Sequence, residues 1–435
     1  MIFQALKHCV VQHPVLATII QNSETESPQL ARPPTIDLGD HVRQLEAVES
    51  GTAIIQNLLE QIHNEAFKDY EQRPQWKVYI VPVLPPNAAT KTTRFQLAFA
   101  SSHALVDGSS ELFFHTSFLE ALNSMSSLSY DDESLLDTST GVEVLAPVEQ
   151  DGKLTISWAF LLKPLLSEFL PPWLSGYLGL GSEASSTESP IWSGSQKRPD
   201  RPTQGQLTQT ASEVFSIPSN VLKSTLAVCK SHNARLTGLL NHLLARSLAR
   251  ALRTRDQKYT RFAVDTAIDL RKCIPEAQGR MGSYASGSTE TLTISGINSP
   301  LDWTAISNST QTLQKASSTL ADQPLGLLRY LNKVRDWVIK KAETPAEGSF
   351  GTSNVGTFSG ERQPGSAWSI DEMVFSQSAD ATGLPLNVNV ASAEGGSLHV
   401  VLTWWPGMLG VQDERQFVRE ICGDLERQLS EIDRQ

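Results

Sequence analysis

A histidine and an aspartate four residues apart, followed at once by a glycine, stand in the segment Ser102-His103-Ala104-Leu105-Val106-Asp107-Gly108. Neutral imidazole, with an unperturbed pKa near ~6.5, accepts a proton at physiological pH. A histidine held at a strand end, its backbone fixed by a neighbouring carboxylate, suits a general base that deprotonates an alcohol or an amine. Upstream, Arg94 to Ala100 alternates with Phe95, Leu97 and Phe99 on one face, as a half-buried strand does. Downstream, Ser109, Ser110 and Glu111 are good first-turn residues, and Leu112, Leu119 and Leu122 follow near helical spacing. His103 is therefore predicted in a strand-to-helix turn, a common place for catalytic side chains. Plainer roles stand beside this one: Asp107 as a helix N-cap, and His103 as a satisfied, half-buried histidine. A metal site fits less well. Ligands four apart usually share a continuous helix, whereas Gly108 predicts a turn, and the one nearby third ligand, His115, falls in the following helix as a surface or packing residue.

The elements that must position this turn belong to a chain of 435 residues, long enough for two domains. Hydrophobic residues make up 40% and charged residues 19%, which fits a globular protein. The formal net charge of −11 repels phosphate backbones, so nucleic acid is not an expected partner. Cys9, Cys229, Cys273 and Cys422 are far apart, which predicts free thiols in a reducing compartment rather than a disulfide frame or zinc site. The N-terminus lacks the pattern of a signal peptide, and no apolar run is long enough to span a bilayer. Trp158 to Leu180 comes closest, but Lys163, Glu168 and three prolines break it, so it reads as a buried or channel-lining segment. The expected setting is a cytoplasmic monomer.

Ala53 to Phe67 reads as an amphipathic helix and Trp76 to Val83 as a strand. Polar stretches at Asn123 to Asp137 and Gly181 to Thr208 read as loops, the second as a crossover between domains. The expected organisation is an N-terminal lobe over 1–180, a crossover over 181–208 and a C-terminal lobe over 209–435. In the second half, Leu236, Leu240, Leu243, Ser247 and Ala251 mark one side of a strong helix, and Arg246, Arg250 and Arg253 the other, read as a solvated face. Leu386 to Ala391 and Leu398 to Trp404 flank Glu394-Gly395-Gly396-Ser397, a hairpin signal, and a helix with Phe417, Ile421, Leu425 and Leu429 closes the chain. Both halves interleave strands and helices, so the fold class is α/β or α+β with mixed sheets.

His103-Ala104-Leu105-Val106-Asp107-Gly108 resembles the active-site motif of the chloramphenicol-acetyltransferase-like superfamily, which includes plant BAHD acyltransferases, fungal alcohol acetyltransferases and the condensation domains of nonribosomal peptide synthetases. Other segments agree in order. His13-Pro14-Val15-Leu16 resembles an early family segment. Asp265-Thr266-Ala267-Ile268-Asp269-Leu270-Arg271 with Met281-Gly282-Ser283-Tyr284 resembles the second-lobe region, and Ser353-Asn354-Val355-Gly356 a segment of the alcohol-acetyltransferase branch, to which the likeness is nearest. The plant-type Asp-Phe-Gly-Trp-Gly signature is absent, and Ser102 stands where many condensation domains carry a further histidine. No carrier domain is present in the sequence, so a free-standing protein is expected.

The resemblance implies two lobes, each a mixed sheet flanked by helices, with a tunnel between them and His103 at its middle as general base. Acyl-CoA, with acetyl-CoA the form that the resemblance favours, would be co-substrate, with no resident cofactor and no metal, and the acceptor a hydroxyl on a small apolar molecule. Asp107 would pair with Arg271 of the other lobe and hold the loop that carries His103. Ser353 or Asn354 would donate to the oxyanion, although Gly351 to Gly356 is rich in turn formers and reads equally as a turn. Gly108 would permit close approach of backbone or substrate. Aromatic residues of Trp158 to Leu174, with Trp404 and Trp405, would line the acceptor pocket or belong to the core. Two other readings stay open: amide formation or a carrier-bound thioester donor, and a ligand-binding or cyclisation protein on the same fold.

Overall fold

The computed structural model describes residues 1–49, 51–85, 93–124, 133–141, 144–149, 153–162, 190–200, 209–360 and 365–432. Helix α1 (Ile2–Gln12) opens the N-terminal part. The short strands β1 (Ile19–Gln21), β2 (Gln29–Ala31), β3 (Thr35–Asp37) and β4 (Val42–Gln44) lead to α2 (Thr52–His63). There follow β5 (Trp76–Val83), β6 (Arg94–Ser101), α3 (Gly108–Ser124) and β7 (Leu135–Asp137). Strands β4, β5 and β6 form a mixed three-stranded sheet, β4 parallel and β6 antiparallel to β5. Its apolar face closes on α1 and α3 around Leu6, Val10, Trp76, Val78, Phe114 and Phe118. Phe99 stacks on Phe114 with ring centroids 3.8 Å apart. The segment Pro14–Ala17 is a 3-10 turn that delivers the chain into β1.

The C-terminal part holds β8 (Ala211–Ile217), α4 (Ser219–Ser231), α5 (Leu236–Arg253), β9 (Arg261–Asp269) and β10 (Ala285–Thr293). Helices α6 (Trp303–Ala316) and α7 (Val334–Glu343) come next, then β11 (Phe350–Phe358). The hairpin β12 (Leu386–Ala393) and β13 (Leu398–Trp404) and the helix α8 (Glu414–Ser430) complete it. Six strands pair in the order β10-β9-β11-β12-β13-β8, with β11 parallel to both β9 and β12. Successive side chains of a strand alternate between faces. Phe262, Val264, Phe350, Val388, Val400 and Leu402 point to α5 and α8, and with Leu243, Leu248, Phe417 and Ile421 make the second core. Each such side chain contributes roughly 1.5–3 kcal/mol by leaving water.

Alternation turns Asp265, Gly351 and Asn387 to the opposite face, which looks toward the N-terminal part. Among the described residues, several fastenings hold the two parts together. Leu112 and Leu119 of α3 pack with Val355, Phe358 and Phe375. On α2, Glu60 accepts from Ser212 N at 2.8 Å and takes Arg415 of α8 on both oxygens at 3.0 Å. Asn123, in the last turn of α3, exchanges two hydrogen bonds with the backbone of Trp368, whose indole meets Phe95 edge-on at 5.3 Å.

Several elements differ from the sequence reading. The Gly351–Gly356 stretch is an interior strand rather than a turn, broken only by a bulge at Val355, where register shifts between Asn354 and Gly356. The arginine row of α5 is not a solvated face. Arg246 is buried, and Arg250 donates to both oxygens of Asp424 on α8 and to Ile297 O. The reason is that a second helix, α8, covers that side, which the spacing within α5 could not show. The crossover positions 181–189 and 201–208, and residues 163–180 of the channel-lining segment, lie outside the described residues; Trp158 is 77% exposed. Among the described residues no helix is long and apolar enough to cross a membrane.

The α5–α8 tie yields a stability prediction. Arg250→Ala removes one of the cations from Asp424, which keeps Ser247, Gln428 and Arg427 as donors, takes the side-chain donor from Ile297 O, and lowers unfolding free energy by about 1–3 kcal/mol, whereas Arg253→Ala, on an exposed position, changes it by less than about 0.5 kcal/mol. Urea unfolding of both variants checks this.

Candidate active site

Strand β6 ends at Ser101, and the chain turns at once. Ser102 N donates to Gln75 O at 2.8 Å, and Leu105 N donates back to Ser102 O at 2.9 Å. His103 is exposed on this turn, while Leu105 and Val106 are buried behind it. The turn is held at both ends. On the strand side, Ser101 Oγ donates to Glu111 Oε1 of α3 at 2.6 Å. On the helix side, Asp107 caps α3, accepting from Ser110 N at 3.1 Å, and is only 3% exposed.

The same Asp107 carboxylate takes Arg271 side-on: Nη1 donates to Oδ2 and Nη2 to Oδ1, each at 2.9 Å. Such a paired, charge-assisted contact fixes geometry as well as energy. Tyr284 N adds a donation to Oδ2 at 2.7 Å. Arg271 in turn donates to Asp269 Oδ1, Arg280 O, Ser110 Oγ and Gly282 O, and its guanidinium lies 4.7 Å from the Tyr284 ring centroid. Burial pulls the Arg271 pKa down, but the Asp107 and Asp269 carboxylates outweigh it and leave the arginine more firmly charged than usual. Both partners are therefore buried with their hydrogen-bonding capacity used, the condition under which a buried ion pair is tolerated. Asp107 is thus N-cap and inter-lobe partner together. Arg271 lies within this clamp rather than on an open surface.

Gly108 begins α3 where the two parts touch. A Cβ there would come within 2.7 Å of the Phe375 ring and 2.9 Å of Val355 Cγ1. Ser353 and Asn354, neighbours on β11, face opposite ways. Asn354 turns to the helix side, donating to Thr237 Oγ1 at 3.0 Å and accepting from Gly356 N at 2.9 Å, which braces the bulge. Ser353, paired with Asn389, lies on the face toward the N-terminal part. Trp404 is not brought to this group. It is 1% exposed in the second core, at the Phe350 end of the sheet, and its indole N–H donates to Glu414 Oε2 at 3.2 Å. A cleft of about 490 Å³ between α2, β8 and α8 stands at the far sheet edge, and its Arg415 and Arg419 are already paired with Glu60 and Glu213.

Sequence reasoning named Ser110 and Glu111 only as first-turn residues. Ser110 Oγ also accepts from Gly282 N at 3.1 Å, stitching α3 to the 280s segment. Glu111 is held mostly neutral: burial pushes its pKa up to about 8, nearby Asp107 adds to the rise, and the Ser101 bond opposes it. His115, one turn on, is driven down to about 4 by burial and meets Phe114 edge-on. The spacing of Glu111 and His115 on one helix face was visible in the sequence; their enclosure was not.

Two predictions follow from this arrangement. Arg271→Ala strands a buried carboxylate and costs about 3–5 kcal/mol, Arg271→Lys restores little because an ammonium cannot pair side-on, and the Asp107→Ala/Arg271→Ala double variant loses less than the sum of its parts. Thermal or urea unfolding of the wild type, Asp107→Ala, Arg271→Ala and the double variant measures the coupling. For Glu111, a folded pKa of about 8 against an ordinary 4.5 makes the folded state hold a proton that the unfolded state releases. Its contribution is therefore undiminished below pH 4.5 and falls as pH rises to 8. Glu111→Gln removes that decline, so its unfolding midpoint gains on the wild type across this window.

The chain is 24% identical over 442 residues to a probable alcohol acetyltransferase, FCK4, of Fusarium pseudograminearum, covering 97% of this chain and 84% of that protein. It is 24% identical over 433 residues to the probable alcohol acetyltransferase crmB of Aspergillus fumigatus, covering 94% and 86%. Among solved structures, the SgcC5 protein from Streptomyces globisporus superposes with a TM-score of 0.57 at 15% identity, over 99% of this chain and 89% of that one. The epimerization domain from the third module of tyrocidine synthetase B does so with 0.53 at 15% identity, over 98% and 87%. These structures share the chloramphenicol-acetyltransferase-like fold. With residues 42–429 matching the family model for alcohol acetyltransferase, the chain belongs to the alcohol acetyltransferase family and is an acyltransferase.

Proposed function

We propose that the protein transfers an acyl group, acetyl by preference, from acyl-CoA to a hydroxyl of a small apolar acceptor, with His103 as general base. The observation that carries this reading is an exposed imidazole on a turn clamped at both ends, at the seam of two lobes. An alcohol is a poor nucleophile until its proton leaves as it attacks. The neutral ring nitrogen of His103 takes that proton while the alcohol oxygen bonds to the thioester carbonyl carbon. The carbonyl electron pair moves onto oxygen, and the resulting oxyanion needs a donor aimed at it. Ser353 is the residue we assign, because its neighbour Asn354 is engaged on the helix side. Collapse of the intermediate breaks the C–S bond, and the CoA thiolate recovers the proton from His103. Asp107 and Arg271 touch neither reactant; they hold the turn. The enzyme works in this reading as a cytoplasmic monomer.

The test is release of free CoA thiol from acetyl-CoA in the presence of a panel of alcohols. His103→Ala slows it by about 10²–10⁴-fold while the melting temperature stays put, since the ring is exposed. Turnover by that variant at the wild-type rate would remove His103 as the base. An acyl-pantetheinyl carrier protein as donor, or an amine as acceptor, in place of acetyl-CoA and alcohol separates the condensation-type reading from this one.

A further inference from the structure

Helix α7 is ten residues long, and Ala342 is its one buried residue. Helices this short are marginal in water on their own, so packing has to supply what propensity does not. The apolar residues of α7 do not supply it within the chain. Val334, Trp337 and Val338 are 44%, 41% and 39% exposed. They stand at i, i+3 and i+4 and make a single stripe. Ala342 and half-buried Ile339 mark the side turned to the protein, and the stripe lies about a third of a turn away from it. Apolar surface continues on the neighbouring chain. Tyr330, which ends the 3-10 segment Pro324–Tyr330, is exposed. Residues 154–157 are bonded along this region: Thr155 N donates to Leu320 O, Asp322 N to Thr155 O, and Arg329 Nη2 to Leu154 O. Trp158 and Leu162 follow directly, and both are exposed. A lone exposed apolar side chain is ordinary, but a cluster of this kind marks an interaction site.

The polar residues around the stripe are mostly cations. Residues 329–343 carry Arg329, Lys333, Arg335, Lys340 and Lys341 against Asp336 and Glu343, in a chain of net charge −11. Asp336 and Glu343 fall on the side of α7 opposite the stripe. Lys341 extends the stripe at i+7, its ammonium over the Trp337 ring at 5.2 Å. Lys333 and Arg335 pair with Asp336 and Glu24 at exposed positions, where pairing is weak, and Lys340 and Lys341 are in no ion pair among the described residues.

We propose that α7, with Tyr330 and residues 158–162 beside it, docks the protein on an anionic lipid surface. The stripe enters the headgroup boundary, and the lysines meet lipid phosphates. Trp and Tyr favour that boundary because ring and polar tip each find their own medium there. Lysine stems lie along apolar surface while the ammonium stays in water. Ten residues of helix reach ~15 Å, half of a hydrocarbon core of ~30 Å, so α7 lies on the surface rather than crossing it. A second copy of the chain fits this face less well, because a symmetric pairing would set the same cations against each other. Cytoplasmic leaflets carry the anionic lipids that the face requires. Apolar acceptors of the kind proposed above partition into the same layer, so docking would bring enzyme and acceptor together.

Co-sedimentation of the full-length protein with lipid vesicles tests this. Vesicles of equimolar phosphatidylcholine and phosphatidylserine retain the wild type, phosphatidylcholine alone does not, and high salt releases it. Lys340→Glu/Lys341→Glu weakens the binding about ten- to a hundredfold, and Trp337→Ser/Val338→Ser weakens it about tenfold. None of the four side chains is buried, so melting temperature and CoA release with a water-soluble alcohol stay at wild-type values. A wild type left in the supernatant at low salt overturns the proposal, as does either variant binding as tightly as the wild type. A concentration-dependent dimer in sedimentation velocity that Trp337→Ser abolishes overturns it as well and assigns the stripe to a second copy.

Discussion

One buried ion pair sets the geometry on which everything else depends. Asp107 and Arg271 are each 3% exposed, and they come from opposite lobes. A charge buried this far is stable only with its counter-charge in place and its remaining hydrogen-bonding sites filled. The pair meets that condition through Ser110, Tyr284 N, Gly282 O and Asp269, so the start of α3 and the end of β9 are locked to each other. The histidine turn is the short piece of chain between this lock and the Ser101–Glu111 bond. Its ring is free because its backbone is not.

The six-stranded sheet completes the division of labour. One face is hydrocarbon and buries against α5 and α8. The other carries Asp265, Gly351, Ser353 and Asn387 and, past the bulge, Val355 and Phe358, which pack on the α3 of the lobe that carries His103. The bulge at Val355 is where the two meet: it lets β11 shift register just as Val355 reaches Gly108, and Asn354 braces the irregularity from the helix side. A side chain on Gly108 would collide with β-branched Val355, which has few rotamers to escape into.

Much of this was legible in the residues. Alternation at Phe95, Leu97 and Phe99 marked β6, the Asp-Gly step marked the start of α3, and Glu394-Gly395-Gly396-Ser397 marked the β12–β13 hairpin. The Asp107–Arg271 partnership came from family resemblance, since no local pattern links positions so far apart. Other features escaped for a common reason: they are set by what packs against a segment. The glycines and polar residues of 351–356 have low strand propensity, yet parallel pairing with β12 along the stretch, and with β9 as far as Thr352, makes them a strand, because pairing overrides intrinsic preference. Arg250 looked solvated because a helix wheel cannot show Asp424 on another helix. Ser353 and Asn354 were equivalent in sequence, and only strand pairing gave them opposite faces. Trp404 carried aromatic character suited to a pocket, but its place in the register put it in the core.

Among the described residues the seam between the lobes is fastened at several separate places, among them α2 to β8 and α8 through Glu60, α3 to β11 and Arg271 at the motif, and the end of α3 to Trp368. A hinge needs one free side about which to swing, and fastenings spread along the seam oppose such a motion. Clamshell opening would also pull Asp107 off Arg271 and slacken the turn that carries the base. For the transfer proposed above, a body fastened in this way favours reactants that thread along the seam over reactants admitted by a swing of the lobes.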